Sequence, residues 1–401
     1  MTSPLSSPNP VPNPPRLRLE VLDSVRGLAA LVVVFFHVKN VVQPVTDTLS
    51  KPFRLLASIN NHGHDAVVVF IVLSGFVLTL PVARAGKLEI PGGLAEYFRR
   101  RARRILPPYF AALAIFLLLG SLWFLATPLL QAHGFAARPN PIISADATVW
   151  GYLAHLFMIY NVKRSWALTV DSPMWSVATE WQIYFLFPFI LLPLWRRAGL
   201  AAAIVGGFAV GLIPVFLLPR DTDFDTWCPW LLGDFAMGMA AAAIAIAPAR
   251  GSGAPARFAR IGIWGVAFIA CVLVIGGLQG GLPRIWHKMS EWQHDALTGI
   301  AVGLLLVYLA RCQLSSTKPS LAFRVLDTRW PIFLGAFSYS LYLVHYPLVC
   351  TLDVFVGRFI RSGVAHVIAM YGLGTILSLL AGYGFHLAFE RPFMRSKPRS
   401  N

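Results

Sequence analysis

Charge is what this chain has little of. Only 13% of its 401 residues are charged, against roughly 25% in an ordinary globular domain. A soluble chain of this length needs a charged surface, so the composition excludes one. Cysteine is scarce as well. Cys228, Cys271, Cys312 and Cys350 are scattered, three of them inside apolar runs, which points to neither a disulfide framework nor a zinc site. The N-terminus lacks the charged start and short apolar core of a cleaved signal peptide. Residues 1–15, rich in Pro, Ser and Asn, read instead as a disordered tail. No internal repeat is visible, which weighs against the transporter folds that are built on repeats.

What the chain has is apolar runs of about 20 residues, the length a bilayer asks of a helix. Ten are predicted as spans, at 22–42, 64–83, 105–127, 174–195, 199–218, 229–248, 258–278, 294–312, 331–356 and 364–388. A shorter stretch, Trp150 to Val162, reads as a re-entrant or interfacial helix. The expected fold is all-α, a polytopic transmembrane bundle filling 16–395, with a short tail at 396–401. The net charge of +16 would point to nucleic acid in a soluble protein. Here it follows from basic residues collecting on cytoplasmic loops. With the N-terminus in the cytoplasm and sides alternating, 23 of the 34 basic residues fall on the cytoplasmic side and 11 opposite. Both termini are then cytoplasmic. The acidic loop Asp221-Thr222-Asp223-Phe224-Asp225 faces outward.

Ionisable residues within spans are costly, so each is a functional candidate. Those that stand out are His37, Glu180, Asp234 and His345, with Arg26 near the start of the first span. Eleven steps separate Arg26 from His37. At about 100° per residue they amount to three turns plus roughly 20°, so both side chains share a face, about 16 Å apart along the axis. That stripe suits a long anionic donor lying along the helix with a proton acceptor at its far end. The plainer alternative is a snorkelling arginine and a packed histidine.

Three further segments carry candidates. In Arg99-Arg100-Arg101-Ala102-Arg103-Arg104, Arg101 and Arg104 share a helical face, and guanidinium forks match phosphate oxygens. Positive-inside anchoring accounts for arginines here as well. Trp175, Ser176 and Glu180 lie in Met174-Trp175-Ser176-Val177-Ala178-Thr179-Glu180-Trp181-Gln182-Ile183-Tyr184, where a carboxylate in an apolar span must be paired, protonated or facing water. Ser338, Tyr342 and His345 share a face at i, i+4, i+7 spacing. A polar stripe of this kind faces a cavity or bonds a neighbouring helix.

Together these segments resemble the acyltransferase-3 family of integral membrane O-acyltransferases. Leu22-Asp23-Ser24-Val25-Arg26-Gly27 followed by His37 is similar to the family's first helix. Val69-Phe70-Ile71-Val72-Leu73-Ser74-Gly75-Phe76 is similar to its second-helix signature, with Ile71 where a second Phe is frequent. Arg101 to Arg104 running into Ile105-Leu106-Pro107 resembles its paired-arginine motif. Trp175-Ser176 with Glu180, Ser338-Tyr339-Ser340 with His345-Tyr346-Pro347, and Glu390-Arg391-Pro392-Phe393 complete the order. The resemblance covers essentially the whole chain. It implies an acyl-coenzyme A donor, usually acetyl-coenzyme A, taken from the cytoplasm, and a hydroxyl acceptor, often on an extracytoplasmic glycan. It implies that His37 is the catalytic histidine and that Arg26, Arg101 and Arg104 lie near the donor.

The chemistry agrees with the residues. A hydroxyl attacking a thioester needs a base near neutral pH, which histidine supplies with little tuning. His37 either deprotonates the acceptor or is itself transiently acylated; Glu180 is placed to orient an imidazole; no metal is required. Some relatives carry a fused extracytoplasmic esterase-like domain. This chain ends at Asn401, so the expectation is that it completes the transfer or hands the group to a separate partner. The rival readings are a proton-coupled transporter or flippase, with His37, Glu180 and His345 as a relay, and a non-catalytic membrane scaffold. The expected location is the bacterial inner membrane, with lipid and a glycan or glycosylated small molecule as partners and no nucleic acid.

Overall fold

The computed structural model describes residues 19–50, 60–86, 88–134, 140–219, 224–247, 290–315, 321–360 and 363–394. The tails 1–15 and 396–401, the span expected at 258–278 and Asp221 to Asp223 lie outside the described residues. Within them the chain is a helical membrane bundle, and the one β-like feature is an isolated bridge between Ile143 and Val170. In order the main elements are α1 (Glu20–Thr46), α2 (Gly63–Arg84), α3 (Gly93–Ala132), α4 (Val149–Phe157), α5 (Trp175–Leu186), α6 (Leu192–Leu217), α7 (Leu231–Ile246), α8 (Glu291–Leu314), α9 (Arg329–Ala336), α10 (Ser338–Phe359) and α11 (Gly363–Met394). Seven helical stretches among the described residues are long and apolar enough to cross a membrane.

Where the spans differ from expectation, backbone chemistry explains it. The stretches at 174–195 and 199–218 form one helical run, Ser172–Leu217, interrupted at Gly199 (φ 86°, ψ 177°). Leu194 lies against Gly206, so the run doubles back there as a hairpin. Only glycine adopts that backbone conformation without strain. The stretch at 229–248 is helical over 16 residues only, bounded at its start by Cys228 in a left-handed conformation (φ 43°) just ahead of Pro229 and at its end by Ala247, whose ψ of 136° leaves the helix. At about 1.5 Å per residue α7 is roughly 24 Å long, short of a ~30 Å hydrocarbon core. It is buried on most sides by protein. The span at 331–356 is broken at Phe337 (φ −122°, ψ 15°), which separates α9 from α10.

Close packing of α2 on α7 rests on two glycines. A methyl group on Gly75 would overlap the Phe235 carbonyl, and one on Gly238 would overlap that of Val72. Small residues at such crossings let backbones approach in a bilayer, where hydrophobic burial alone gives no advantage over lipid. The close approach fixes the face of α2 that looks away from α7 and towards α5 and α10. The short helix is present as α4. It starts at Thr148, whose hydroxyl accepts from Gly151 N–H, and its Val149, Trp150, Leu153, Leu156 and Phe157 are exposed. Its other face buries Ala154 and His155. Burial lowers the pKa of His155 to about 4, and the neutral ring stacks on Tyr160 with centroids 3.9 Å apart. The chain that follows braces α5: Tyr160 donates to the Met174 carbonyl at 2.6 Å and Asn161 donates to Thr179 at 2.9 Å.

Candidate active site

One cavity is framed by α1, α2, α3, α5 and α10. Arg26, Ser74, Arg101, Arg104, Ser176, Glu180, Tyr184, Ser338, Tyr339 and Tyr342 are among its walls. Seven of the eleven residues singled out from sequence meet there: Arg26, Arg101, Arg104, Ser176, Glu180, Ser338 and Tyr342. They come from four helices, and helical periodicity explains each alignment. Arg101 and Arg104 are three apart on α3, and Ser338 and Tyr342 are four apart on α10.

The arginine run divides by face. Arg101 and Arg104 turn into the cavity, where the Arg101 guanidinium sits 5.9 Å from the Tyr184 ring centroid and its Nε finds no partner among the described residues. Arg99 and Arg100 instead pair with Glu96, and Arg103 is exposed. Arg26 pairs with Asp23 at 3.1 Å. The cationic end of the cavity is therefore built by three guanidinium groups from two helices.

Glu180 sits beside that end. Its Oε1 accepts hydrogen bonds from the Ser74 hydroxyl and from the Tyr184 hydroxyl at 2.5 Å. This differs from the expectation that Glu180 orients an imidazole. Glu180 lies one turn along α5 from Ser176, which is already the level of Tyr342, and the histidines lie past Tyr342. Towards the opposite end, Tyr342 donates to the Pro173 carbonyl at 2.5 Å. Its proton being committed there, the Ser176 hydroxyl donates to the Tyr342 oxygen at 2.6 Å. One turn further along α10, His345 is completely buried, its ring 5.9 Å from that of Tyr342. Its Nε2 lies 2.9 Å from Nδ1 of His37. The two histidines, 308 residues apart in sequence, thus form a pair just beyond the cavity wall.

The sequence from residue 19 to residue 385 matches the family model described as an acyltransferase domain. The chain belongs to the acyltransferase-3 family. Acyltransferase MdmB of Streptomyces mycarofaciens is 25% identical over 411 residues, an alignment covering 95% of this chain and 93% of that protein. O-acetyltransferase OatA of Staphylococcus aureus (strain NCTC 8325 / PS 47) is 23% identical over 373 residues, covering 85% of this chain and 52% of the relative. No solved structure matches the chain. With its apolar helices, the protein is an integral membrane acyltransferase, and the likeness to an O-acetyltransferase supports O-acyl transfer.

Two of the sequence candidates lie off the cavity of this acyltransferase. Trp175 stacks on His64, centroids 5.9 Å apart. Asp234 is completely buried in α7, against Gly299 of α8, and neither of its carboxyl oxygens has a partner among the described residues. Other polar groups were not anticipated. Ser74 and Tyr184 hold Glu180; Ser74 stands inside the second-helix motif quoted for the family resemblance and Tyr184 ends the polar segment that carries Glu180, which were the available signals. Two acid–histidine pairs cross-link helices, His64 with Asp295 at 3.0 Å and Asp353 with His366 at 2.7 Å, and a third, Glu390 with His386 at 2.9 Å, lies within α11. Trp230 also donates to Asp295 at 2.7 Å, and Ser340 donates to Glu390 at 2.6 Å. These residues sit near span ends, where a charge draws little notice. Asp171, just before the helical run of α5, is buried with both carboxyl oxygens unpartnered among the described residues, and burial raises its pKa well above the ordinary carboxylate range.

Proposed function

We propose that this enzyme transfers an acyl group, acetyl in the simplest case, from coenzyme A to a hydroxyl of a cell-surface glycan or related glycosylated acceptor. The observation that carries the reading is the polarity of the cavity. Three guanidinium groups stand at one end, and a hydroxyl-bearing wall leads to a histidine pair at the other. Coenzyme A is a long polyanion with its thioester at the far tip from its phosphates. Arginine forks grip phosphate oxygens, so Arg26, Arg101 and Arg104 hold the phosphate end and the pantetheine arm points along the cavity towards His37. Glu180, bonded to Ser74 and Tyr184, sets the local charge balance beside those arginines.

In the direct route the acceptor hydroxyl gives its proton to His37 as its oxygen bonds to the thioester carbonyl carbon. The carbon–sulfur bond then breaks, and the proton passes to the departing sulfur, which leaves as the thiol. In the relay route a ring nitrogen of His37 bonds to the thioester carbonyl carbon and the carbon–sulfur bond breaks, releasing the coenzyme A thiolate; the acceptor oxygen then takes the acyl group as the carbon–nitrogen bond breaks, and the acceptor's proton passes to the thiolate. The 23-to-11 distribution of basic residues supports cytoplasmic termini. Donor then enters from the cytoplasm and acceptor from outside, across a bacterial inner membrane.

The test uses the full chain in lipid nanodiscs with acetyl-coenzyme A labelled in the acetyl group, and mass spectrometry of surface glycans from cells with and without the protein. The expected result is an acetyl increment that depends on the wild-type chain. His37→Ala should lower acetyl transfer by roughly 10²- to 10⁴-fold, the usual worth of a positioned base, while the protein still inserts and elutes as wild type. Near-wild-type turnover in folded His37→Ala would remove this histidine from the mechanism.

A further inference from the structure

The two ring nitrogens of His37 have different surroundings. Nδ1 lies 3.0 Å from the Val33 carbonyl oxygen and 2.9 Å from Nε2 of His345. A carbonyl oxygen only accepts, so Nδ1 of His37 carries the hydrogen. His345 repeats the pattern, with Nδ1 2.8 Å from the Tyr342 carbonyl and 3.2 Å from that of Leu341. Its Nδ1 therefore carries a hydrogen too, and in a neutral imidazole Nε2 is then a bare acceptor. That acceptor faces the N–H of His37. One assignment satisfies all four contacts. The opposite tautomers would set lone pairs of both rings against three carbonyl oxygens.

We propose that His345 is a positioning residue that locks His37 in the Nδ1–H tautomer and so leaves the Nε2 lone pair of His37 as the base. Among the described residues nothing hydrogen-bonds that Nε2. The rings of Phe36 and Tyr346, each 5.0 Å from the imidazole centroid, restrict its rotation. His345 is completely buried and acts through His37. An orienting group in this position is usually a carboxylate. A neutral imidazole does the same work without placing a permanent charge at membrane depth, where charge is costly. The catalytic consequence rests on the acyl-transfer reading above, whereas the tautomer does not.

The test is ¹⁵N-histidine NMR of the full chain in nanodiscs, with His37→Gln assigning the signals. The expected wild-type spectrum has His37 Nε2 at the shift of an unprotonated ring nitrogen. In His345→Ala that signal should move towards the average of two tautomers, and acetyl-coenzyme A turnover should fall about 10²-fold with its KM unchanged. His345→Gln, whose side-chain carbonyl still accepts from His37, should recover part of both. A protonated Nε2 in the wild type overturns the proposal, as does an unchanged tautomer or rate in His345→Ala. If His345→Ala fails to fold, the wild-type spectrum and His345→Gln decide. Failure of the acyl-transfer reading looks different: the tautomer is as stated, yet wild-type protein turns over no acetyl-coenzyme A.

Discussion

Arg99, Arg100, Arg101, Arg103 and Arg104 carry the same charge but occupy different faces of α3. Only Arg101 and Arg104 reach the cavity, while Arg99 and Arg100 are held by Glu96 at the surface. Lysine keeps the charge that anchors the helix end and loses the planar fork. The double variant Arg101→Lys/Arg104→Lys should insert normally and bind coenzyme A about 10-fold or more weakly, the loss of at least one charge-assisted bond. Arg99→Lys/Arg103→Lys should bind as wild type. Isothermal titration in nanodiscs measures both, and equal affinities for the two pairs would reduce all five arginines to topology anchors. The face assigned to Arg101 and Arg104 was legible from their spacing. Which face the cavity occupied was not, because spacing says nothing of what lies opposite.

At the level of the element, α2 shows why a motif is more than a label. Ser74 reaches Glu180 on α5, while its neighbour Gly75 lies against the backbone of Phe235 on α7. Adjacent residues on a helix point about 100° apart, so one signature serves the cavity and the next helix together. A Gly75→Ala substitution should push α2 off α7 and destabilise the bundle by about 1–3 kcal/mol, as overpacking commonly does. The readout is a lower midpoint of thermal unfolding in detergent, with coenzyme A affinity reduced as a consequence. An unchanged midpoint would mean that the two helices part freely. The final motif behaves similarly. Glu390 is buried and receives Ser340 from α10, so it clamps the last helix to the one bearing His345. The break at Phe337 was invisible in the sequence because apolar residues flank it on both sides, Ile332-Phe333-Leu334 before it and Leu341 to Val344 after it. Hydropathy marks depth, and a change of helix direction leaves it unaltered.

For the molecule as a whole, sidedness decides how donor and acceptor meet. We expect position 86 to face the cytoplasm and position 225 the outside. With the native cysteines replaced by serine, an impermeant thiol reagent on intact cells should label Asp225→Cys and spare Gly86→Cys, with the reverse after the membrane is opened. Labelling of Gly86→Cys from outside would invert the arrangement and set the arginine end of the cavity away from cytoplasmic coenzyme A. The prediction depends on the basic-residue asymmetry, which acts during insertion and needs no tertiary contact.

By itself the sequence determined that the chain is a helical membrane protein, because runs of about 20 apolar residues are the length of a spanning helix, and a helix satisfies its backbone polar groups within its own segment in hydrocarbon. It also determined the candidate residues, since a polar side chain is conspicuous in an apolar run and helical spacing sets its face. Tertiary structure alone decided which candidates met. His37 found His345 across 308 residues, Glu180 bonded to Ser74 and Tyr184 instead of to an imidazole, and Asp234 and Trp175 turned elsewhere. Lateral order in a bundle comes from side-chain packing between helices distant in sequence. Periodicity within any one of those helices carries no information about its neighbours.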